Sequence, residues 1–341
     1  MHKIKNLVLS LTGECNFSCK YCYAADYEKS KMTEEVALKA VDLAAKNGER
    51  FIIQFTGGEP LLNFPVLQSV VKYVQEQKLP ALLQIQTNAS LMTKEIARFL
   101  YQNKIGIGVS LDGKPAINDK LRFLQGGGGA SSAILAGIKV LQKEKIGIGI
   151  TCVVTSQNVK ELEGIIDIAY YLGNVRVLGF DILRSQGRGK NLLPPIPEEM
   201  YQAMERVYCR ADTYENLTGI KLKIAQEHRI CNLVAGDSKI FGHCYAMNGE
   251  AAFVNPAGKI FACSSFMDDE EFCIGSVFSG IEEDLQSMIA EKIKASMSEC
   301  SSCENLSKCG GGCFARAVGE KRLSEAECAM QKVSIARVGG E

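Results

Sequence analysis

Short apolar runs alternate with longer helical patterns through the first two thirds of the chain. Strands are expected at 7–11, 51–55, 82–87, 105–111, 146–155 and 175–183. Between them, apolar residues recur at helical spacing over about 33–47, 64–78, 93–103, 131–144 and 158–172, with one more such stretch at about 197–216. Thr33 ahead of Glu34-Glu35, and Thr93 ahead of Lys94-Glu95, are serviceable helix caps. Six strand–helix units argue for a parallel sheet with right-handed crossovers. The architecture is α/β, either an incomplete (β/α) barrel or an open sheet. In both, chemistry sits beyond the C-terminal ends of the strands.

The rhythm changes after Pro194-Pro195-Ile196-Pro197 and again near Gly242. From His243 onward the segments are short and rich in Cys, Gly and Ser. Their apolar periodicity is too irregular for a conventional core, so bound metal is expected to supply folding free energy there. The expected division is 1–215, a connection at 216–242, and 243–341, in keeping with about 150 residues per domain. Gly126–Gly129 lacks the Lys-Ser/Thr of a phosphate loop and reads as a flexible loop.

Composition narrows the class. Lys+Arg and Asp+Glu stand at 39 each, so no global charge draws the chain to nucleic acid or an anionic membrane. No apolar run reaches the ~18 residues of a membrane helix. The apolar N-terminus has no small-residue cleavage site and reads as a strand, which places the chain in the reducing cytosol. Fourteen cysteines in 341 residues fall well below a disulfide scaffold. They are clustered, which points to metal before disulfides.

Directly after the first strand the chain reads Cys15-Asn16-Phe17-Ser18-Cys19-Lys20-Tyr21-Cys22. Three thiolates on one loop can hold three irons of a cubane and leave the fourth iron open. A closed zinc site or ferredoxin cluster would want four ligands. Later strand ends carry Thr56-Gly57-Gly58-Glu59-Pro60, then Thr87-Asn88, then Ser110-Leu111-Asp112-Gly113, with Arg122 twelve residues past Ser110. Glycines let backbone approach a ligand, a carboxylate such as Glu59 can accept from an ammonium, and a guanidinium suits a carboxylate. Near the C-terminus the pattern is Cys244-x13-Gly258-x4-Cys263, then Cys300-x2-Cys303-x5-Cys309-x3-Cys313, then Cys328. Its C-x2-C pairs alone would also fit zinc.

On these motifs the chain resembles the radical S-adenosylmethionine (SAM) enzymes, and its C-terminal cysteines resemble the SPASM domain of members that modify peptides and proteins. The resemblance implies a partial (β/α)6 TIM-type barrel followed by a loop-rich iron–sulfur SPASM domain. It implies a [4Fe–4S] cluster on Cys15, Cys19 and Cys22 that binds SAM and cleaves it reductively to a 5′-deoxyadenosyl radical. Gly57, Gly58, Glu59, Asn88, Ser110, Asp112 and Arg122 would serve SAM, with Tyr21 and Leu183 flanking adenine. Two auxiliary [4Fe–4S] clusters are implied, one on Cys300, Cys303, Cys309 and Cys328, the other on Cys244, Cys263 and Cys313.

Two departures from the anaerobic sulfatase-maturing relatives stand out. Their eighth cysteine is Glu250 here, so the last iron falls to Glu250, Cys273 or His243, or stays open to a substrate thiolate. Cys273 also reads as a small apolar residue. Their aspartate after the Cys263 position is Ser264 here, a poor base without help; Asp268 and Asp269 lie near in sequence. The remaining thiols, Cys152, Cys209 and Cys231, read as structural. The function expected is oxidation of a ribosomally made peptide, with a thioether crosslink as one product. Formylglycine formation and tetrapyrrole modification are the alternatives. The implied partners are the peptide or protein substrate, a low-potential donor (flavodoxin or ferredoxin) and, because only fourteen residues precede Cys15, a separate leader-binding protein or direct leader recognition.

Overall fold

The structure is a computed structural model, and it describes residues 3–237, 240–267, 269–320 and 322–339. Seven strands run in chain order across one parallel array: β1 (Asn6–Ser10), β2 (Phe51–Thr56), β3 (Ala81–Thr87), β4 (Gly106–Ser110), β5 (Ile148–Val154), β6 (Val175–Ile182) and β7 (Lys223–Ile224). Crossovers are made by α1 (Glu34–Ala45), α2 (Phe64–Glu76), α3 (Lys94–Gln102), the short α4 (Pro115–Asn118), α5 (Ser131–Lys143), α6 (Gly164–Leu172) and α7 (Pro197–Thr218). Thr33 and Thr93 cap α1 and α3 by accepting from Val36 N and Ile96 N. All six expected strands are present, with ends within two residues of expectation.

One helix starts late. The stretch expected from 158 opens as a short turn at Val159–Glu161, and α6 begins only at Gly164. Asn158 is the reason: its side chain accepts from Thr155 N at 2.8 Å and donates to Val153 O at 2.8 Å, tying the chain into a turn.

The C-terminal third corrects the expectation of a weak core. β8 (Ala251–Val254) pairs in parallel with β1, so hydrogen bonding crosses the expected division at 242/243. β9 (Lys259–Phe261), β10 (Cys273–Ser276) and β11 (Gly280–Ile281) continue the same sheet antiparallel, giving eleven strands. Between and after them lie α8 (Ala225–Val234), α9 (Glu283–Ala295), α10 (Ser298–Ser301), α11 (Leu306–Cys309), α12 (Phe314–Glu320) and α13 (Glu325–Gly339). Phe266 stacks on Phe272 and Phe314, with centroids 4.1 and 5.8 Å apart. Ile274, Ile289, Ile293 and Met297 are buried beside them. These apolar groups come one or two at a time from short elements, so no sequence period announces them. α13 returns to α7, where Arg337 forks onto Asp212 at 2.6 and 2.9 Å. Among the described residues, no helix is long and apolar enough to cross a membrane.

Candidate functional site

The C-terminal ends of β1–β6 surround a cavity of about 700 Å³, within the range that holds a drug-sized ligand. Cys15, Cys19, Cys22, Tyr21, Gly57, Gly58, Asn88, Ser110 and Arg122 all line it. The cysteine loop is braced by backbone. Gly58 N donates to Thr12 O at 2.7 Å and Glu59 N to Glu14 O at 2.9 Å. A Cβ on Gly58 would stand 2.1 Å from Glu14 O, and one on Gly57, at φ +143°, 2.4 Å from Thr12 O. The glycine pair therefore lets β2 close against the thiol loop, besides facing the cavity. From the β3 end, Asn88 donates to Asn16 Oδ1 at 2.9 Å and fastens the loop from the other side.

Three of the expected ligand residues, Glu59, Asp112 and Leu183, stand behind the cavity wall. Glu59 is fully buried and stands outside the cavity lining. Its oxygens accept from Thr87 Oγ1 at 2.6 Å, Asn88 N at 2.8 Å and Leu61 N at 3.1 Å, so it knits β2 to β3 and spends three of its acceptor sites on protein. Burial pushes its carboxyl up to about 7, against three donors that favour the ionised form. Asp112 is likewise inaccessible. It takes Arg122 bidentately, at 2.8 and 3.1 Å, and accepts from Tyr21 Oη and from Val153 N. It is a positioning residue: it fixes the guanidinium that lines the cavity, and Arg122 in turn lies 5.3 Å from the Tyr21 ring centroid. Leu183 packs behind the wall with Tyr21 and Leu121, and Ile182 takes the cavity face in its place. Ser110 accepts from Gln86 Nε2 at 2.9 Å.

Sequence reasoning missed Asp181, Arg184 and Arg188, which also line the cavity. Their signal was available: Asp181 ends β6, and strand ends are where such a sheet places chemistry. Arg184 meets Asp181 at 3.1 Å and Ser265 Oγ at 3.0 Å, and lies 5.1 Å from the Tyr23 ring centroid. Arg188 donates to Cys19 O at 2.8 Å.

The thiols fall into three groups. Burial raises Cys15 to about 12 and Cys19 to about 11, and each feels its loop partners, while Arg122 draws Cys19 down. Burial raises Cys244 to about 12 and Cys263 to about 11, and both feel Cys313. Cys300, Cys303, Cys309 and Cys328 line a separate cavity of about 60 Å³, which Cys313 also touches. Cys328, raised to about 11 by burial, feels the other three. Among the described residues, no three His, Cys, Asp or Glu side chains converge tightly enough for a single ion. A cluster that brings its own sulfides needs its thiols further apart, around a space such as the one these four enclose. Burial favours the protonated form of Cys300, Cys309 and Cys328, which would release their protons on binding it.

The candidates for the last auxiliary ligand have these surroundings. Glu250 pairs with Lys5 at 2.6 Å. Cys273, in β10, turns its thiol to Gly275 O at 3.6 Å. His243 is exposed. Ser264 lines the main cavity, and its carbonyl accepts from Tyr27 Oη. Asp269 caps the following turn by accepting from Glu271 N, and Asp268 lies outside the described residues.

Comparison with known proteins bears on the family and the fold. The family model of the radical SAM superfamily matches residues 9–169. An uncharacterised protein of Methanocaldococcus jannaschii is 31% identical over 276 residues, which is 80% of this chain and 89% of that one. The Fe-coproporphyrin III synthase of Methanosarcina barkeri is 26% identical over 91% of this chain and 83% of its own. The solved structure of anSMEcpe with bound AdoMet and Cp18Cys peptide superposes with a TM-score of 0.80 at 20% identity, covering 98% of this chain and 96% of that chain.

Proposed function

We propose, from the fact that this chain belongs to the radical SAM superfamily, that it matures a ribosomally made peptide by hydrogen abstraction, and that a thioether crosslink is its product. It is a SAM-dependent enzyme whose cofactors are SAM, a [4Fe–4S] cluster and auxiliary clusters. When bound, the SAM-binding cluster supplies the electron that cleaves SAM to a 5′-deoxyadenosyl radical. The observation that carries the reading is the reach of the 700 Å³ cavity, from Cys15, Cys19 and Cys22 to Ser264 beside Cys263. That span offers room for SAM and for a substrate side chain at the auxiliary end.

The residue roles we propose follow the geometry. Cys15, Cys19 and Cys22 hold the SAM-binding cluster. Cys300, Cys303, Cys309 and Cys328 hold one auxiliary cluster, and Cys244, Cys263 and Cys313 hold the other, with a substrate cysteine as its fourth ligand. Arg122, fixed by Asp112, meets the SAM carboxylate. Tyr21 and Ile182 supply apolar wall that excludes water. The working division is a SAM-binding unit at 1–215, a connection at 216–242 and an auxiliary unit at 243–341. A flavodoxin or ferredoxin in a reducing cytosol would supply electrons.

A second reading is favoured by the cavity's charge. Among the described residues, Lys29, Arg122, Arg184 and Arg188 line it against Asp181 alone among acids, which suits a substrate with several carboxylates. The coproporphyrin-linked relative named above makes a tetrapyrrole the candidate. The deciding experiment is anaerobic co-expression with candidate cysteine-containing peptides, read by mass spectrometry. Loss of two hydrogens per crosslink supports the peptide reading. Unmodified peptides, together with 5′-deoxyadenosine release on an iron tetrapyrrole, replace it with the second.

A further inference from the structure

A chain of charges, half-buried at the cavity and buried beyond it, runs from the cysteine loop of the SAM cavity to both auxiliary thiol groups. It begins at Tyr23, next to Cys22, whose ring faces Arg184. Arg184 pairs with Asp181 on β6, and Asp181 pairs with Arg316 on α12. Arg316 is 4% exposed. All three arms of its guanidinium are taken: one by Asp181, one by Ile182 O at 2.9 Å, and one by Glu327 Oε1 at 2.8 Å. Glu327, on α13, accepts the amide of Cys313 at 3.0 Å through its other oxygen and directly precedes Cys328. Arg184 stands near enough to Cys263 and Cys313 for their charges to act on it.

Such an arrangement is costly unless every partner is present, because a guanidinium does not shed its proton and a buried unpaired charge is strongly disfavoured. Asp181 and Ile182 line the cavity. Arg316 thus grips two wall residues with one hand and, with the other, the carboxylate set between the two auxiliary groups. A shift on either side has to be met on the other, because three fixed bonds leave the planar fork no alternative orientation.

We propose that Arg316 is a positioning residue that couples the wall of the SAM cavity to the auxiliary thiol groups, so that SAM bound at one end is felt at the other. The proposal rests on the auxiliary ligand sets given above.

The test is an electron-paramagnetic-resonance redox titration of the anaerobically reconstituted full chain, with and without SAM. In the parent protein, SAM is expected to change the reduced-to-oxidised ratio of an auxiliary signal at fixed potential by about fivefold or more. Arg316→Met should load the same iron and lose that response. Arg316→Lys keeps the charge near both acids and should recover part of it, a rescue that mere packing would not produce. A parent without a SAM response overturns the coupling, and so does an Arg316→Met protein that responds like the parent. Loss of auxiliary iron in both variants also overturns it, since Arg316 would then be structural support. A parent holding only the SAM-binding cluster would fail at the iron count, before any titration, and would refute the ligand sets as well.

Discussion

Cys15, Cys19 and Cys22 ride on a loop that the sheet holds from three sides. Ser18 N and Lys20 N donate to Phe123 O and Leu121 O at 2.7 and 2.9 Å, Gln125 N donates to Asn16 O, and the Gly57-Gly58 turn closes from β2. The Cys300–Cys328 thiols ride on different material. Cys300 and Cys309 sit in α10 and α11, helices of four residues each, and Gly310 and Gly311 follow at φ +74° and +92°. A Cβ on Gly311 would stand 2.0 Å from the Phe241 ring, so the chain turns there only as glycine. The first region is shaped by protein hydrogen bonds before any cofactor arrives. The second is bonded mostly within its own short turns, with Phe241 N on Gly310 O at 2.8 Å and Arg229 on Cys309 O at 2.9 Å tying it to the rest, and it leans further on an aromatic stack and on what its thiols bind.

The largest expected effect separates the two regions by function. Cys22→Ala should bring 5′-deoxyadenosine release to background, because the SAM-binding loop loses a ligand. Cys303→Ala should leave reductive SAM cleavage in place while iron content falls from about twelve to about eight per chain. Equal losses of SAM cleavage in the two variants would mean the regions do not act separately.

Next in size is a packing variant. Phe314 is 1% exposed and stacks with Phe266 at the start of the auxiliary segment. Phe314→Ala should cost about 3–5 kcal/mol in chemical unfolding of the metal-free chain. The reconstituted protein should lose less, since cluster binding restores part of the deficit by linkage. A cost under about 1 kcal/mol in the metal-free chain would show that the stack contributes little and that the clusters alone hold this region.

The same contrast explains what the sequence disclosed. The parallel strands were legible because each is a continuous apolar run whose partner is the next strand in order. The thiol groups were legible because their spacing is local. Partner-dependent facts were not. Glu59 and Asp112 stand at strand ends, where a ligand is expected, yet Thr87, Asn88, Arg122 and Val153 donate to their oxygens. Whether a carboxylate is spent on protein or spared for a ligand depends on residues 10 to 41 positions away, and no local pattern records that. Leu183 and Ile182 differ by one position, and which of them faces the cavity is set by how β6 ends. β8 joins β1 across more than 240 residues, the register most remote from any periodic signal.

The smallest effect probes whether the regions are mechanically independent. Asp167, on α6, meets Arg210 of α7 at 2.6 Å and Lys114 at 2.8 Å. These cations, Arg210 foremost, hold its carboxyl at about 2, below its ordinary 3.8. A carboxyl lowered in the folded state adds stability that is complete above about pH 4 and is withdrawn as pH falls toward 2. The metal-free parent should therefore lose melting temperature over that window, by a few degrees at low salt and less at high salt, because the pair lies near the surface. Asp167→Asn should melt lower at pH 7 and change less between pH 4 and 2. An unchanged slope would place the acid sensitivity elsewhere. α7 is also the helix that carries α13, and α13 carries Cys328. If the regions are independent, Asp167→Asn keeps its full iron content at pH 7. If iron falls, the outer helices of the barrel help to set the auxiliary thiols, and the division between a protein-built site and a cluster-built site has to be moved outward to α7.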